Sequence, residues 1–183
     1  MTSTGALPGF RYHPNPLGTG SIKLSEESCE SCGEPRGYLY TGAVYGSRDL
    51  ERVCPWCIAD GTAHEKFDTE FTDAAGIGGY REWERVPEKI VQEIAFRTPG
   101  FSGWQQERWF THCADGAEFL GPMGRKELED AGPKAIAAVK QEAGLQNEEW
   151  EHYFQALDRN TGPTAYLFRC RHCGALGGYS DCH

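Results

Sequence analysis

The clearest pattern of apolar and polar positions lies near the end of the chain. Trp150, Phe154 and Leu157 fall at i, i+4 and i+7 behind Asn147, while Glu148, Glu149, Glu151 and His152 fill positions between them. That spacing predicts a helix capped by Asn147, packed on one face and wet on the other. Pro133 to Ala143 repeats the helical pattern with Ile136, Val139 and Lys140 and stops at Gly144; Pro87 to Arg97 does so with Ile90, Val91 and Ile94 and stops at Thr98-Pro99-Gly100. Pro55 suits the first turn of a further helix, with Ile58, Ala59, Ala63 and Phe67 as its buried face. Residues 121–160 as a whole read as helical. Ala165-Tyr-Leu-Phe-Arg-Cys170 is an apolar run of strand length, Leu50 to Val53 reads as a strand end, and Gly37 to Gly46 holds the β-prone residues of a hairpin.

The remaining stretches lack a period. Residues 7–24 are interrupted by Pro8, Pro14 and Pro16 and by three glycines, which predicts an extended arm laying Phe10, Tyr12, Leu17 and Ile22 along the body. Residues 68–86 read as loop anchored by Phe71, Tyr80 and Trp83. Gly76-Ile-Gly-Gly79 within it lacks the strand, length and lysine of a phosphate loop. Helices and short strands in separate runs predict an α+β fold.

Composition narrows the function classes. At 183 residues, with 39% hydrophobic and 12% aromatic side chains, the chain can bury a core as one domain or two small lobes. The net charge of −9 and pI near 5.1 disfavour phosphate backbones and acidic headgroups as partners. From Lys23 to Cys57 the basic residues Lys23, Arg36, Arg48 and Arg52 face Glu26, Glu27, Glu30, Glu34, Asp49 and Glu51, with no aromatic–basic stripe for nucleic acid. No run approaches a membrane span, and Met1 to Gly20 has no hydrophobic signal core, so a cytoplasmic setting is expected.

Eight cysteines in such a chain point to metal ligands more than to disulfides. Cys29-Glu-Ser-Cys32 and Cys54-Pro-Trp-Cys57 stand 21 residues apart, a spacing that can bring four thiolates to one tetrahedral Zn²⁺. Gly33 suits the left-handed turn of a zinc knuckle, and the helix from Pro55 would set Cys54 and Cys57 at its N-terminus. Knuckle, hairpin and ligand-bearing helix predict a treble-clef-like lobe over 25–75. Cys54-Pro-Trp-Cys57 alone also fits a glutaredoxin-like redox motif, but that leaves Cys29 and Cys32 unexplained. A zinc deaminase needs His-x-Glu ahead of Pro-Cys-x-x-Cys; here His64-Glu65 is adjacent and follows.

A second, looser set emerges downstream. Cys170-Arg-His-Cys173-Gly174 has the same trailing glycine as the first knuckle. Cys113 is the best third ligand, because Cys113-Ala-Asp115-Gly116 echoes Cys57-Ile-Ala-Asp60-Gly61 and would open a second ligand-bearing helix over Ala114 to Leu120. The fourth ligand is open among His112, Cys182 and His183. Gln105, Gln106, Glu107 and Arg108, set between Trp104 and Trp109, either line a cleft or form a solvated turn. His13 is more simply a packed histidine than a site residue.

Several segments together carry a resemblance: Leu-Pro-x-Phe-x-Tyr-His-Pro-x-Pro-Leu over 7–17, the cysteine pairs over 29–32 and 54–61, Arg-Thr-Pro-Gly-Phe over 97–101, Trp-Gln-x-x-x-Trp over 104–109, His-Cys-x-Asp over 112–115, and Phe-x-Cys-x-His-Cys-Gly over 168–174. In this order they resemble the CbrC family, whose named bacterial member is associated with colicin tolerance. The resemblance implies a bacterial cytoplasmic protein and carries no catalytic residues over.

The leading expectation is a zinc-stabilised protein of one CbrC-like domain, with its first zinc lobe over 25–75 and a helical lobe with a second zinc site over 97–183. It would act as an interaction or regulatory module whose partner is another protein, in stress response or colicin tolerance. The rival is an enzyme with an open metal near His112 to Asp115, using Asp115, Glu107 or His13 as proton carrier. A thiol–disulfide oxidoreductase at Cys54 and Cys57 is the third reading.

Overall fold

The structure is a computed structural model and describes residues 6–182. The expected mixture of helix and strand is present. In chain order it runs β1 (Ile22–Leu24), β2 (Tyr38–Tyr40), β3 (Tyr45–Gly46), α1 (Pro55–Ala59), α2 (Thr62–Phe67), β4 (Thr69–Glu70) and α3 (Glu88–Arg97). Then follow β5 (Thr111–His112), β6 (Asp115–Gly116), β7 (Glu118–Met123), α4 (Arg125–Ala131), α5 (Pro133–Ala143), α6 (Asn147–Ala156), β8 (Thr164–Arg169) and β9 (Leu176–Asp181).

The main sheet is antiparallel, in the order β7-β8-β9. Strand β8 is buried from Thr164 to Phe168. Because side chains alternate across a strand, Tyr166 and Phe168 join one core while Ala165 and Leu167 join another. On the first face lies an aromatic cluster of Tyr12, Phe101, Trp109, Phe119 and Tyr179; Phe101 stacks on Phe119 at 4.1 Å between centroids. On the second face pack α4, α5 and α6 through Leu128, Ala135, Val139, Trp150, Phe154 and Leu157. The stripe read from residues 150–157 is therefore core. A third cluster, including Leu39, Val53, Ile58 and Phe71, lies around the first two cysteine pairs.

Local chemistry redirects several expected elements. The helix from Pro55 breaks at Gly61, whose φ of 84° ends α1 before α2 begins. The hairpin expected within 37–46 does not form on itself: Tyr38–Tyr40 pairs backwards with Ile22–Leu24, and Tyr45–Gly46 pairs with Thr69–Glu70. Leu50 to Val53 contributes one bond to a strand, from the Tyr40 N–H to the Val53 carbonyl, and otherwise stays irregular. Asn147 is the first helical residue of α6, at φ 46°, and Gln146 takes the cap position with no side-chain cap bond. Ala114 to Leu120 is not a helix. Cys113 and Ala114 are both left-handed, at φ 55° and 54°, which closes the β5–β6 hairpin and cannot start a right-handed helix. Strand β9 was hidden by Gly177-Gly178, a pair poor in strand propensity. The glycines are needed there, because a Cβ on Gly177 would sit 2.3 Å from the Phe110 ring.

The N-terminal arm runs extended and buries Phe10, Tyr12 and Ile22; Leu17 points outward instead, at 42% exposure. Its clip is His13, fully buried. Nδ1 lies 2.7 Å from the Pro99 carbonyl and must donate to it; Nε2 then accepts from Thr19 Oγ1 at 2.7 Å. One neutral tautomer satisfies both contacts, and burial pushes the imidazole pKa down to about 4.

The neutral histidine binds fewer protons folded than unfolded below pH 6.5, so its contribution is present at neutral pH and is lost as pH falls towards 4. By pH 5 the wild-type chain should lose roughly 2 kcal/mol relative to His13→Asn, read from urea unfolding of both proteins at each pH; parallel pH curves would refute the buried neutral clip. Gly177→Ala should destabilise by about 1–3 kcal/mol through overpacking on Phe110, measured the same way at pH 7.

Candidate metal centres

Both cysteine clusters are built on the same local device. In the first, the loop joining β1 and β2 turns at Gly33 (φ 78°), with Gly33 N–H donating to the Cys29 carbonyl at 2.7 Å and Cys29 N–H to the Glu34 carbonyl at 3.0 Å. In the second, the loop joining β8 and β9 turns at Gly174 (φ 74°), with Gly174 N–H on the Cys170 carbonyl at 3.0 Å and Cys170 N–H on the Ala175 carbonyl at 2.8 Å. Each Cys-x-x-Cys-Gly segment thus caps an antiparallel strand pair and folds its amides back towards its own first sulfur.

The amides act on the thiols. Cys29 Sγ accepts the Ser31 N–H at 3.4 Å and the Cys54 N–H at 3.2 Å. A hydrogen bond from the Cys54 side chain, followed by these and the Cys32 amide, holds the Cys29 thiol down to about 4. Burial works against Cys170, but the Cys173 and His172 amides, with the His112 and Cys173 side chains, hold it down to about 6. Each knuckle so favours a thiolate at its first cysteine, the form that binds metal.

The complete donor sets follow. Cys29, Cys32, Cys54 and Cys57 place one sulfur each within 4.8 Å of all the others, and His112, Cys113, Cys170 and Cys173 place one donor atom each within the same limit. A tetrahedral zinc with Zn–S of about 2.3 Å needs S···S edges near 3.8 Å and N···S edges near 3.6 Å. Cys32 and Cys54 are 4.0 Å apart, Cys113 and Cys173 are 3.8 Å apart, and His112 Nδ1 lies 3.2 and 3.5 Å from those last two sulfurs. Thiolate and imidazole at these spacings fit such an ion, and all eight cysteines among the described residues are free of disulfides. Cys182 lies outside both clusters, with its carbonyl bonded by Gln105 Nε2, and His183 lies outside the described residues.

His112 and Cys113 are sequence neighbours that both reach the second cluster. The hairpin turn explains this: Cys113 in the left-handed region turns to the side of His112, which a helix start would not require. The turn costs about 1–2 kcal/mol per left-handed residue, and Glu84 braces it by accepting the Ala114 N–H at 2.8 Å.

The two clusters differ in their surroundings. Cys29, Cys54 and Cys57 are buried and Cys32 partly so, whereas Cys113 and Cys173 are exposed. Beside the second cluster, Asp115 accepts Tyr12 Oη at 2.7 Å on one oxygen, and Arg171 at 2.9 Å and His172 at 2.8 Å on the other. Burial pushes this carboxyl up; Tyr12, His172, the Gly116 amide and the Arg171 charge outweigh it and keep it ionised below its usual range. Such a carboxylate is a brace, with its lone pairs already taken.

The other sequence candidates lie apart from both clusters. His13 is the arm clip. Glu107 is buried, its carboxyl raised by burial, and accepts the Tyr45 hydroxyl. Arg108 pairs with Glu82 and Glu142 and lies over the Tyr179 ring. Gln105 and Gln106 tie to Asp181 and Asp73. Residues 105–108 therefore staple distant segments together, and Trp109 between them and the core is fully buried. The bracing roles of Glu84 and His172 are not legible in the chain, because each partner lies 30 or more residues away in sequence.

The chain is 49% identical over 181 residues to a UPF0167 protein of Mycobacterium bovis, covering 96% of this chain and 93% of that one. It is 39% identical over 175 residues to a UPF0167 protein of Pseudomonas aeruginosa, covering 92% and 93% respectively. No solved structure matches it. The family model described as "Uncharacterised protein family (UPF0167)" matches residues 7–182, so the protein with these two cysteine centres belongs to the UPF0167 family.

Proposed function

We propose that the protein is a two-zinc structural and interaction module. The observation that carries this reading is that each cluster supplies four protein donors, which leaves no coordination position for substrate or activated water. A zinc ion in the first centre would join the β1–β2 loop to the start of α1; one in the second would join the β5–β6 turn to the β8–β9 loop. In each case the ion's contribution is charge neutralisation of thiolates and cross-linking of segments distant in sequence. The first centre, with a knuckle and a ligand pair at a helix start, is treble-clef-like in this reading, and 25–75 and 97–183 are the parts organised by the two ions. The partner proposed is another protein, and the CbrC resemblance supports a setting in bacterial stress or colicin tolerance.

The proton-carrier set of the enzyme reading is not assembled: His13 and Glu107 lie elsewhere and Asp115 is saturated. The redox reading of Cys54 and Cys57, both buried, is disfavoured by their inclusion in a four-sulfur set.

Two measurements test the proposal. Elemental analysis of purified protein should find about two zinc ions per chain, and a stoichiometry below one would sink it. Because Cys113 and Cys173 are exposed while no cysteine of the first centre is, chelator and thiol reagent should strip and label the second centre first. Mass spectrometry of partly alkylated protein should locate early label on Cys113 and Cys173, with Cys182 as a metal-free exposed control. Early label on Cys29 or Cys54 would contradict the assigned closure of the first centre.

A further inference from the structure

A groove of about 520 Å³ lies between the N-terminal arm, the α1–α2 junction and α3. Three stretches singled out from sequence meet there: the arm at Phe10 and Arg11, the end of Cys54 to Gly61, and the start of Arg97 to Phe101. Packing accounts for most of the last stretch. Thr98 Oγ1 donates to the Glu93 carbonyl, Pro99 takes the His13 bond, a Cβ on Gly100 would fall 1.8 Å from the Phe71 carbonyl oxygen, and Phe101 is core. Arg97 is the member left over, exposed on the groove.

Its guanidinium is nonetheless positioned. Nη2 donates to the Asp60 carbonyl at 2.9 Å, and the group lies across Gly61, where an added Cβ would come within 3.3 Å of Nε. One N–H of five is used, and among the described residues no carboxylate lies within ion-pair distance. Lys89 on the same groove also lacks an acidic partner among the described residues, while Arg11 is engaged by Glu93 at 3.4 Å. Glu65 is the other lining carboxylate, so three cations face two acids in a chain whose net charge is −9. His64 and Phe96 also line the groove, their rings stacked on each other 3.8 Å apart and 6° from parallel.

We propose that this groove binds a small oxyanion-bearing molecule, its carboxylate or phosphate held by Arg97 and Lys89 and its body beside the stacked His64–Phe96 pair. The site is separate from both metal centres, and the inference does not depend on the identity of the metal.

The test is a titration of the isotope-labelled, metal-loaded full chain at low ionic strength, followed by amide chemical shifts. Inorganic phosphate and succinate are the two probes, one for each oxyanion class. Saturable shifts confined to Gly61, His64, Gln92, Phe96 and Arg97, with half-saturation at about 1 mM or below, are expected for at least one probe, and the stronger identifies the class. Arg97→Ala should weaken that binding about tenfold or more, as loss of a charge-assisted bond implies. Lys89→Gln, at an exposed position, should weaken it severalfold and serves if the arginine variant does not fold. Absence of saturation with both probes overturns the proposal, as does binding that is the same in wild type and the folded variants. A purely structural Arg97 would lower thermal stability and leave the titration of Lys89→Gln unchanged from wild type.

Discussion

Strand β8 has no wet face between Thr164 and Phe168, and the larger part of the molecule is arranged to satisfy that condition. Alternation sends Tyr166 and Phe168 to one side and Ala165 and Leu167 to the other, so each side needs its own cover. Aromatic side chains from the arm, from 101–110 and from β7 and β9 supply one; α4, α5 and α6 supply the second. The same constraint places the second candidate metal centre. The loop leaving β8 is the Cys170 to Gly174 knuckle, and the β5–β6 turn reaches it because β6 leads into β7, the neighbour of β8.

The two centres share their knuckle and differ in what completes it. At the first, a helix start contributes Cys54 and Cys57 and the surrounding cluster excludes water. At the second, the end of β5 contributes His112 and the strained turn after it contributes the exposed Cys113, with Glu84 and Asp115 bracing the turn's base. A desolvated four-sulfur set suits a permanent cross-link. A set with two exposed thiols and one imidazole would exchange a metal and meet reagents more readily, although the donor count is equal.

Between the centres, polar side chains mostly hold segments together. Glu107 and Tyr45 join 101–110 to the β2–β4 region, Gln105 and Asp181 join it to β9, and His13 fastens the arm. These bonds are buried or partly buried, so leaving one partner unmatched costs more than the bond contributes when made. Arg97 stands out from this pattern, anchored by a carbonyl and facing a groove.

The first four-cysteine set, the glycine of each knuckle, the helices at 88–97, 133–143 and 147–156 and the strand at 164–169 were legible in the chain itself. Each depends on neighbours within a few residues: a left-handed turn needs its glycine, and a helix needs its 3.6-residue stripe. The choice of His112 over Cys182, the hairpin in place of a second ligand-bearing helix, the backward pairing of Tyr38–Tyr40 and the existence of β9 were decided by tertiary structure. In those cases the deciding partner lies tens of residues away. Phe110 makes Gly177 a strand residue, and the register of β8 with β9 brings Cys173 to a turn 60 residues upstream. Local propensity carries no record of such contacts, because their free energy exists only once both segments have been brought together.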